Sequence, residues 1–129
     1  MMHVFLDTDE FIDYLIDRNP FADSSEKIFA LIEKNQIRGY ASSLSFSNLY
    51  YLMRKRMSRD RVLSLLKDIA EVIKILKVDE DTVIKSLNSD FHDFEDALQF
   101  HSANEYKKID VIVTRNVKDY KHSTIAVMT

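Results

Sequence analysis

The sequence contains no cysteine, one glycine and one proline among its 129 residues. Without cysteine there can be no disulfide framework, no cysteine-ligated zinc and no thiol nucleophile. Because Gly39 is the only glycine, neither a Walker A loop nor a Gly-x-Gly-x-x-Gly dinucleotide loop can form. The scarcity of chain breakers favours a helix-rich chain with short connections.

Positive charge and long apolar runs are also missing. The formal net charge of −3 argues against binding nucleic acid by bulk positive charge, although metal ions could still hold phosphates locally. No apolar run approaches the roughly 20 residues that span a bilayer, so no membrane association is expected. The N-terminus lacks the basic region of a signal peptide, and a cytoplasmic location is the default expectation. The length suits one domain over residues 1–129.

Short apolar segments alternate with segments of helical periodicity. Strands are predicted at 3–6, 37–41, 72–76, 111–113 and 125–128. Helices are predicted at 8–17 with a break at 18–20, from Ser24 or Ser25 to Asn35, from Ser42 or Ser43 to about 56, from Ser58 to about 69, at 79–89, and from 90–93 to about 106. This order predicts an α/β fold with a mostly parallel sheet of four or five strands that is covered on both faces.

Two helices carry more detailed expectations. Val83, Ile84 and Leu87 are expected to face inward from the helix at 79–89. Tyr50 and Tyr51 fit packing better than stacking on nucleic-acid bases.

Polar side chains gather where the predicted strands end. The first strand and the strand at 111–113 each run directly into polar residues, and the helix at 93–106 begins at the same edge because it leads into the latter strand. Ligands bind at the carboxyl ends of parallel strands. Five separated side chains are therefore predicted to face one crevice: Asp7, Asn48, Asp93, Asp96 and Asn116.

Crowded carboxylates repel one another and require compensation. Mg²⁺ or Mn²⁺ would provide it, and could activate water and stabilise the leaving oxygen of a phosphodiester. Asp7, Asp93 and Asp96 are the candidate catalytic residues, and with Asn116 they are the candidate metal ligands. The candidates for positioning substrate phosphates are Thr114, Arg115, Lys118 and Lys121.

Each acidic residue also has an ordinary structural interpretation. Asp7 could cap the helix that follows it, and Asp93 with Asp96 could simply begin a helix. Asn116 could be a turn former. A plain α/β domain with a solvated acidic edge therefore stays an alternative.

Four segments, which together span nearly the whole chain, carry a family resemblance. They are 4–9 (Val-Phe-Leu-Asp-Thr-Asp), 42–52, 93–99 (Asp-Phe-Glu-Asp-Ala-Leu-Gln) and 113–120. The most specific is the Asp-x-x-Asp-Ala-Leu form of the third. Together they resemble the PIN domain family, and within it the VapC-like bacterial toxins.

The resemblance implies a three-layer α/β/α fold and Mg²⁺- or Mn²⁺-dependent endoribonuclease activity on RNA. It also implies a homodimer and, for a VapC-like member, a small neutralising antitoxin protein. By resemblance Asp7 and Asp96 are the first and third metal-binding acids, and Asp93 is an additional acid. Asn116, or alternatively Asp119, takes the fourth position.

Two residues depart from the family pattern. Asn48 stands where the family usually has Glu, and an amide cannot supply charge or act as a base. Asp9 stands where the family usually has Asn, and it could partly replace the missing acid. The sequence thus leaves open a second function, a catalytically weakened PIN domain that binds RNA or a protein without cutting.

Another enzyme class shares one short motif with this chain. Asp7-Thr8-Asp9 after an apolar strand resembles the Asp-x-Asp motif of haloacid-dehalogenase-type phosphatases, in which the first Asp attacks phosphorus. Phe11 stands where that class usually has Thr or Val.

Overall fold

The computed structural model describes residues 1–15, 22–120, 123 and 125–128. Within these residues the strands are β1 (Met2–Leu6), β2 (Ile37–Ser42), β3 (Ile73–Leu76), β4 (Val111–Val113) and β5 (Ala126–Met128). The helices are α1 (Thr8–Leu15), α2 (Ala22–Glu33), α3 (Ser43–Arg54), α4 (Arg59–Val72), α5 (Glu80–Leu87) and α6 (Phe94–Tyr106), with a short 3-10 helix at Val117–Tyr120.

The five strands form one sheet in the order β3-β2-β1-β4-β5. Every neighbouring pair is parallel, and Val4 of β1 lies opposite Gly39 of β2 and Val111 of β4. The parallel α/β prediction is therefore confirmed. Because β1 and β4 are neighbours and both point the same way, the residues that follow them meet at one edge.

Helices cover both faces of the sheet. Val4 and Leu6 of β1 pack on the side of α1, α2, α3 and α4, whereas Phe5 between them packs against α6. Alternate side chains of a strand point to opposite faces, so one short apolar run contributes to both halves of the core. The result is a three-layer α/β/α arrangement. In the described part of the chain, no helix is both long and apolar enough to cross a membrane.

Serine side chains begin some helices as the sequence predicts, but not all. The hydroxyls of Ser42 and Ser58 accept N-cap hydrogen bonds at the starts of α3 and α4. The prediction for α2 is wrong, because that helix begins at Ala22 and Ser25 lies inside it. The buried Ser25 hydroxyl instead donates to Glu10 at 3.1 Å. The predicted helix end at 17 and the break at 18–20 lie outside the described residues.

The inward face of α5 also differs from the prediction. Ile84 and Leu87 are 50% and 63% exposed, while Thr82 and Ser86 are buried. The Thr82 hydroxyl donates to Glu105 of α6 at 2.9 Å. Polar contacts to α6 therefore set the orientation of α5, and apolar spacing alone could not predict it.

Candidate active site

A cavity of about 430 Å³ opens at the edge where the polar side chains were expected to meet. Five carboxylates line it: Asp7, Asp9, Asp93, Glu95 and Asp96. The remaining lining residues are Thr8, Ile12, Asn48, Tyr51, Leu52, Gln99 and Asn116. All five side chains predicted to face one crevice are among these residues.

Asp7 is the most buried of these carboxylates, at 3% exposure. Its backbone N–H donates to the carbonyl of Val113 at 3.1 Å, which carries the pairing of β1 with β4 one residue further. Its Oδ1 accepts from the backbone N–H of Thr8 at 2.7 Å, and its Oδ2 accepts from the Thr114 hydroxyl at 2.7 Å. The first acid is thus fixed at both oxygens.

Burial raises the pKa of Asp7 above its ordinary value, and the nearby charge of Asp9 raises it further. Hydrogen bonds from Thr114, Gln99 and the backbone of Thr8 act in the opposite direction by stabilising the ionised form. Ionisation of Asp7 is therefore unfavourable without a neighbouring cation, and a cation bound in the cavity would favour the ionised form.

Asp93 and Asp96 combine a structural role with a place at the cavity. Asp93 is the N-cap of α6, and its Oδ1 accepts from the backbone N–H of Asp96 at 3.1 Å. Asp93 is exposed and Asp96 is half-buried. The helix-start interpretation is correct, and it is compatible with both side chains lining the cavity.

Asn48 forms a hydrogen bond with Glu95, an acid that was not predicted from the sequence to lie at the site. Its Nδ2 donates to Oε1 of Glu95 at 2.5 Å. Burial raises the pKa of Glu95, and the charges of Asp93, Asp7 and Asp9 add to the rise. The available signal was the place of Glu95 beside Asp96 at the start of a helix.

Asp9 lies in the cavity wall and is held by the residue at the fourth position. Asn116 donates from Nδ2 to Oδ2 of Asp9 at 3.0 Å, while its backbone N–H donates to the Thr114 hydroxyl at 3.1 Å. The side chain of Asp119, the alternative for this position, lies outside what the structure describes.

Thr114 and Arg115, which were predicted to position substrate phosphates, contact acidic residues of the protein instead. Thr114 is fully buried against Asp7. Arg115 Nε lies 2.9 Å from Oδ2 of the buried Asp13, and its Nη2 lies 3.6 Å from Oδ1 of Asp9. Neither Thr114 nor Arg115 is among the lining residues. These contacts favour a role in holding the acids over direct substrate contact.

The other two predicted phosphate contacts are basic residues near the C-terminus. Lys118 is exposed. Lys121 lies outside the described residues.

Two buried polar side chains, Gln99 of the cavity wall and Tyr120 of the adjoining core, were also missed. Gln99 is 1% exposed, hydrogen-bonds to Asp7, and its Oε1 has no hydrogen-bond partner among the described residues. The buried hydroxyl of Tyr120 likewise has none within the described part of the chain. Burial raises the pKa of Tyr120, and the charges of Asp7 and Asp96 raise it further. An unsatisfied amide oxygen in the cavity wall is a position for a water molecule or an ion.

The tyrosine pair divides between the core and the cavity. Tyr50 is half-buried against the core, as predicted. Tyr51 is 69% exposed and lines the cavity, so the packing prediction is wrong for this residue.

The sequence profile of the PIN domain matches residues 3–118. The chain belongs to the PIN domain family. No curated protein matches it significantly. Membership in the PIN family favours the nuclease interpretation over the phosphatase interpretation. The Asp7-Thr8-Asp9 motif that suggested a phosphatase is part of the first PIN-like segment.

Solved structures share the fold of this PIN domain along most of its length. A chain of the VapBC2 complex of Rickettsia felis, bound to promoter DNA, matches with a TM-score of 0.70 and 18% identity, covering 98% of each chain. A toxin–antitoxin complex from Klebsiella pneumoniae gives 0.72 and 19%, covering 98% of this chain and 96% of the other. Mycobacterium tuberculosis VapC20, a toxin that cleaves the sarcin–ricin loop, gives 0.66 and 14%, covering 84% and 86%. The PIN-like fold is thereby confirmed, and it is VapC-like.

Proposed function

We propose that this PIN domain is a metal-dependent endoribonuclease and the toxin of a toxin–antitoxin pair. The observation that carries the proposal is the cavity at the carboxyl edge of the sheet, where five carboxylates from two distant segments meet. The fold shared with VapBC complexes and with a toxin that cleaves the sarcin–ricin loop supports this choice of reaction and partner.

The donor set suits Mg²⁺ or Mn²⁺. Among the described residues no group of three or more acidic or histidine side chains is arranged to hold a metal ion. Mg²⁺ does not require one, because it commonly takes one or two carboxylates and completes its shell with waters and substrate phosphates. Asp7 and Asp96 would hold the ion, supported by Asp93 and Asn116. The partnerless Oε1 of Gln99 gives a further oxygen in the same wall.

The chain's own residues would orient the reaction. Thr114 and the backbone of Thr8 hold both oxygens of Asp7. Asp93, exposed at the cavity, can accept the proton of the attacking water. The cation, when bound, would favour ionisation of that water and stabilise the leaving oxygen of the phosphodiester.

The partners follow from the same proposal. RNA is the substrate, and Tyr51 and Leu52 add exposed apolar surface beside the carboxylates. A small antitoxin protein, a homodimer and a cytoplasmic location accompany the toxin assignment. The matched toxin–antitoxin complexes support the antitoxin. A small DNA-binding protein encoded in the neighbouring reading frame would support it further.

The deciding experiment is an RNA cleavage assay on the purified protein with Mn²⁺ and with EDTA. We expect cleavage that requires the metal and falls at least about a hundredfold in Asp7→Asn and Asp96→Asn. Asp60→Asn is the matched control, because Asp60 is an exposed carboxylate on α4 outside the cavity. Equal survival of RNA under both conditions would falsify the proposal.

Asn48 favours a second function, binding of RNA or a protein partner without cutting. The acidic position of the family carries an amide here, and an amide cannot act as a base. If this loss is what disables the site, Asn48→Glu should create or strongly increase cleavage. Unchanged or lower activity in Asn48→Glu would count against this second function.

A further inference from the structure

The contact between Asn48 and Glu95 joins two helices across the mouth of the cavity. Asn48 lies in the second turn of α3 and Glu95 in the first turn of α6, 47 residues further along the chain. The amide nitrogen of Asn48 donates directly to Oε1 of Glu95. A carboxylate from α6 is thereby fixed next to position 48.

Glu95 belongs to the electrostatic field of the other acids. It lines the same cavity as Asp93, Asp7 and Asp9. Gln99 follows four residues later and therefore lies on the same face of α6. The unpartnered oxygen of Gln99 and the carboxylate of Glu95 both line the cavity.

The chemistry of the pair explains the amide at position 48. A glutamate at 48 would bring two carboxylates into contact, and like charges at that distance disfavour ionisation of both. An asparagine carries two N–H donors, and a carboxylate accepts them, so Asn48 can fix the position of the Glu95 side chain. The two side chains are therefore complementary as hydrogen-bond donor and acceptor.

We propose that Glu95 supplies the carboxylate that position 48 lacks, and that Asn48 is the positioning residue that holds it toward the metal. This inference rests on the proposed nuclease function. It predicts that metal binding is preserved when position 48 carries the glutamate and position 95 carries an amide.

The test combines Mn²⁺ binding, measured by isothermal titration calorimetry without RNA, with RNA cleavage. We expect Glu95→Gln to weaken Mn²⁺ binding at least about tenfold and to lower cleavage. Asn48→Ala should have a smaller effect of the same sign, because Glu95 remains but loses its hydrogen bond. The double variant Asn48→Glu/Glu95→Gln should recover most of the binding lost in Glu95→Gln. Asn48→Glu alone should bring no gain.

Glu71→Gln is the matched control, because Glu71 is an exposed glutamate on α4 outside the cavity. Circular dichroism checks that each variant is folded. In the double variant the carboxylate acceptor is at position 48 and the amide donor at position 95, so the hydrogen bond between the helices can still form. If the wild type binds Mn²⁺ and cleaves RNA but Glu95→Gln does both equally well, only the role of Glu95 is overturned. Failure of the exchange to recover binding overturns it too. A wild type that neither binds nor cleaves overturns the nuclease proposal as well.

Discussion

The hydroxyl of Thr114 donates a 2.7 Å hydrogen bond to Oδ2 of Asp7, although the two residues are 107 positions apart in the sequence. Both side chains are buried at the neighbouring ends of β4 and β1. The bond stabilises the ionised form of Asp7 and so opposes the rise in pKa that burial causes. The strand order of the sheet therefore places a donor that partly offsets the effect of burial on the first acid.

Thr114→Val removes this donor while keeping the shape of the side chain. We expect the free energy of unfolding to fall by about 1–3 kcal/mol, because a buried carboxylate loses a hydrogen bond. The pKa of Asp7 should rise further, so the acidic limb of the pH–rate profile for RNA cleavage should move to higher pH. Urea denaturation and cleavage rates across the acid range measure the two effects.

Thr82→Val is the control for Thr114→Val. Thr82 is also fully buried and hydrogen-bonded, but its partners are Asp79 and Glu105, away from the cavity. It should lower stability by a similar amount and leave the pH–rate profile unchanged. A shift in both variants would show that the profile reports stability rather than the pKa of Asp7.

The fold was predictable because its signals are local. The apolar run of β1 supplies Val4 and Leu6 to one face of the sheet and Phe5 to the other, as a buried parallel strand requires. The placement of Asp7 and Asn116 at one edge follows from strand direction alone. These inferences need only the order of elements and the rule that ligands bind at carboxyl ends of strands.

The parts that could not be predicted depend on side-chain contacts between distant segments. Glu95 sits next to Asp96 at the start of a helix, but sequence adjacency does not determine where its side chain lies. Its place in the cavity is evident from the cavity lining and from its bond to Asn48. Ser25 was expected to cap a helix but satisfies Glu10 instead. Such polar pairings leave no periodic signal.

Asp7→Asn should stabilise the protein while abolishing cleavage. The folded-state pKa of Asp7 is raised above its ordinary value by burial, so the ionised carboxylate costs stability at neutral pH. We expect the Tm of Asp7→Asn to exceed that of the wild type in metal-free buffer at neutral pH. The difference should shrink as the pH falls, because the wild type becomes more stable as Asp7 takes up its proton.

Differential scanning calorimetry with and without Mn²⁺ completes the test of Asp7. Ligand that binds the folded state raises Tm, so Mn²⁺ should stabilise the wild type and have little effect on Asp7→Asn. The control is again Asp60→Asn, which should follow the wild type. A lower Tm for Asp7→Asn at neutral pH would contradict the cost assigned to the buried charge.

The Arg115–Asp13 ion pair should be important for stability. Arg115→Met removes the guanidinium that pairs with the fully buried Asp13 carboxylate. We expect a loss of about 3 kcal/mol in unfolding free energy, at the lower end for a buried pair because Arg115 is partly exposed. Asp13→Asn in the same chain should recover part of that loss, which a double-mutant cycle by urea denaturation would measure.

An exposed ion pair provides the comparison for Arg115. Arg59 lies 3.7 Å from Asp60, and both side chains are largely exposed. Arg59→Met should change stability by less than about 0.5 kcal/mol. Equal losses in Arg115→Met and Arg59→Met would mean that the buried pair contributes no more than a surface one.

Tyr51 should contribute to RNA binding through its exposed ring. It stands in the cavity wall, and its ring meets Tyr50 edge-on at 5.5 Å, which restricts its orientation. Stacking of a base on an aromatic side chain contributes about 1–3 kcal/mol, so Tyr51→Ala should weaken RNA binding roughly 5- to 150-fold. Tyr51→Phe should bind like the parent, because stacking needs the ring and not the hydroxyl. Fluorescence anisotropy with labelled RNA, on the Asp7→Asn background so that RNA is not cut, gives the affinities.

Leu87→Ala is the control for Tyr51→Ala, because it removes an exposed apolar side chain of α5 outside the cavity. If it weakens binding as much as Tyr51→Ala does, the effect is not stacking in the cavity.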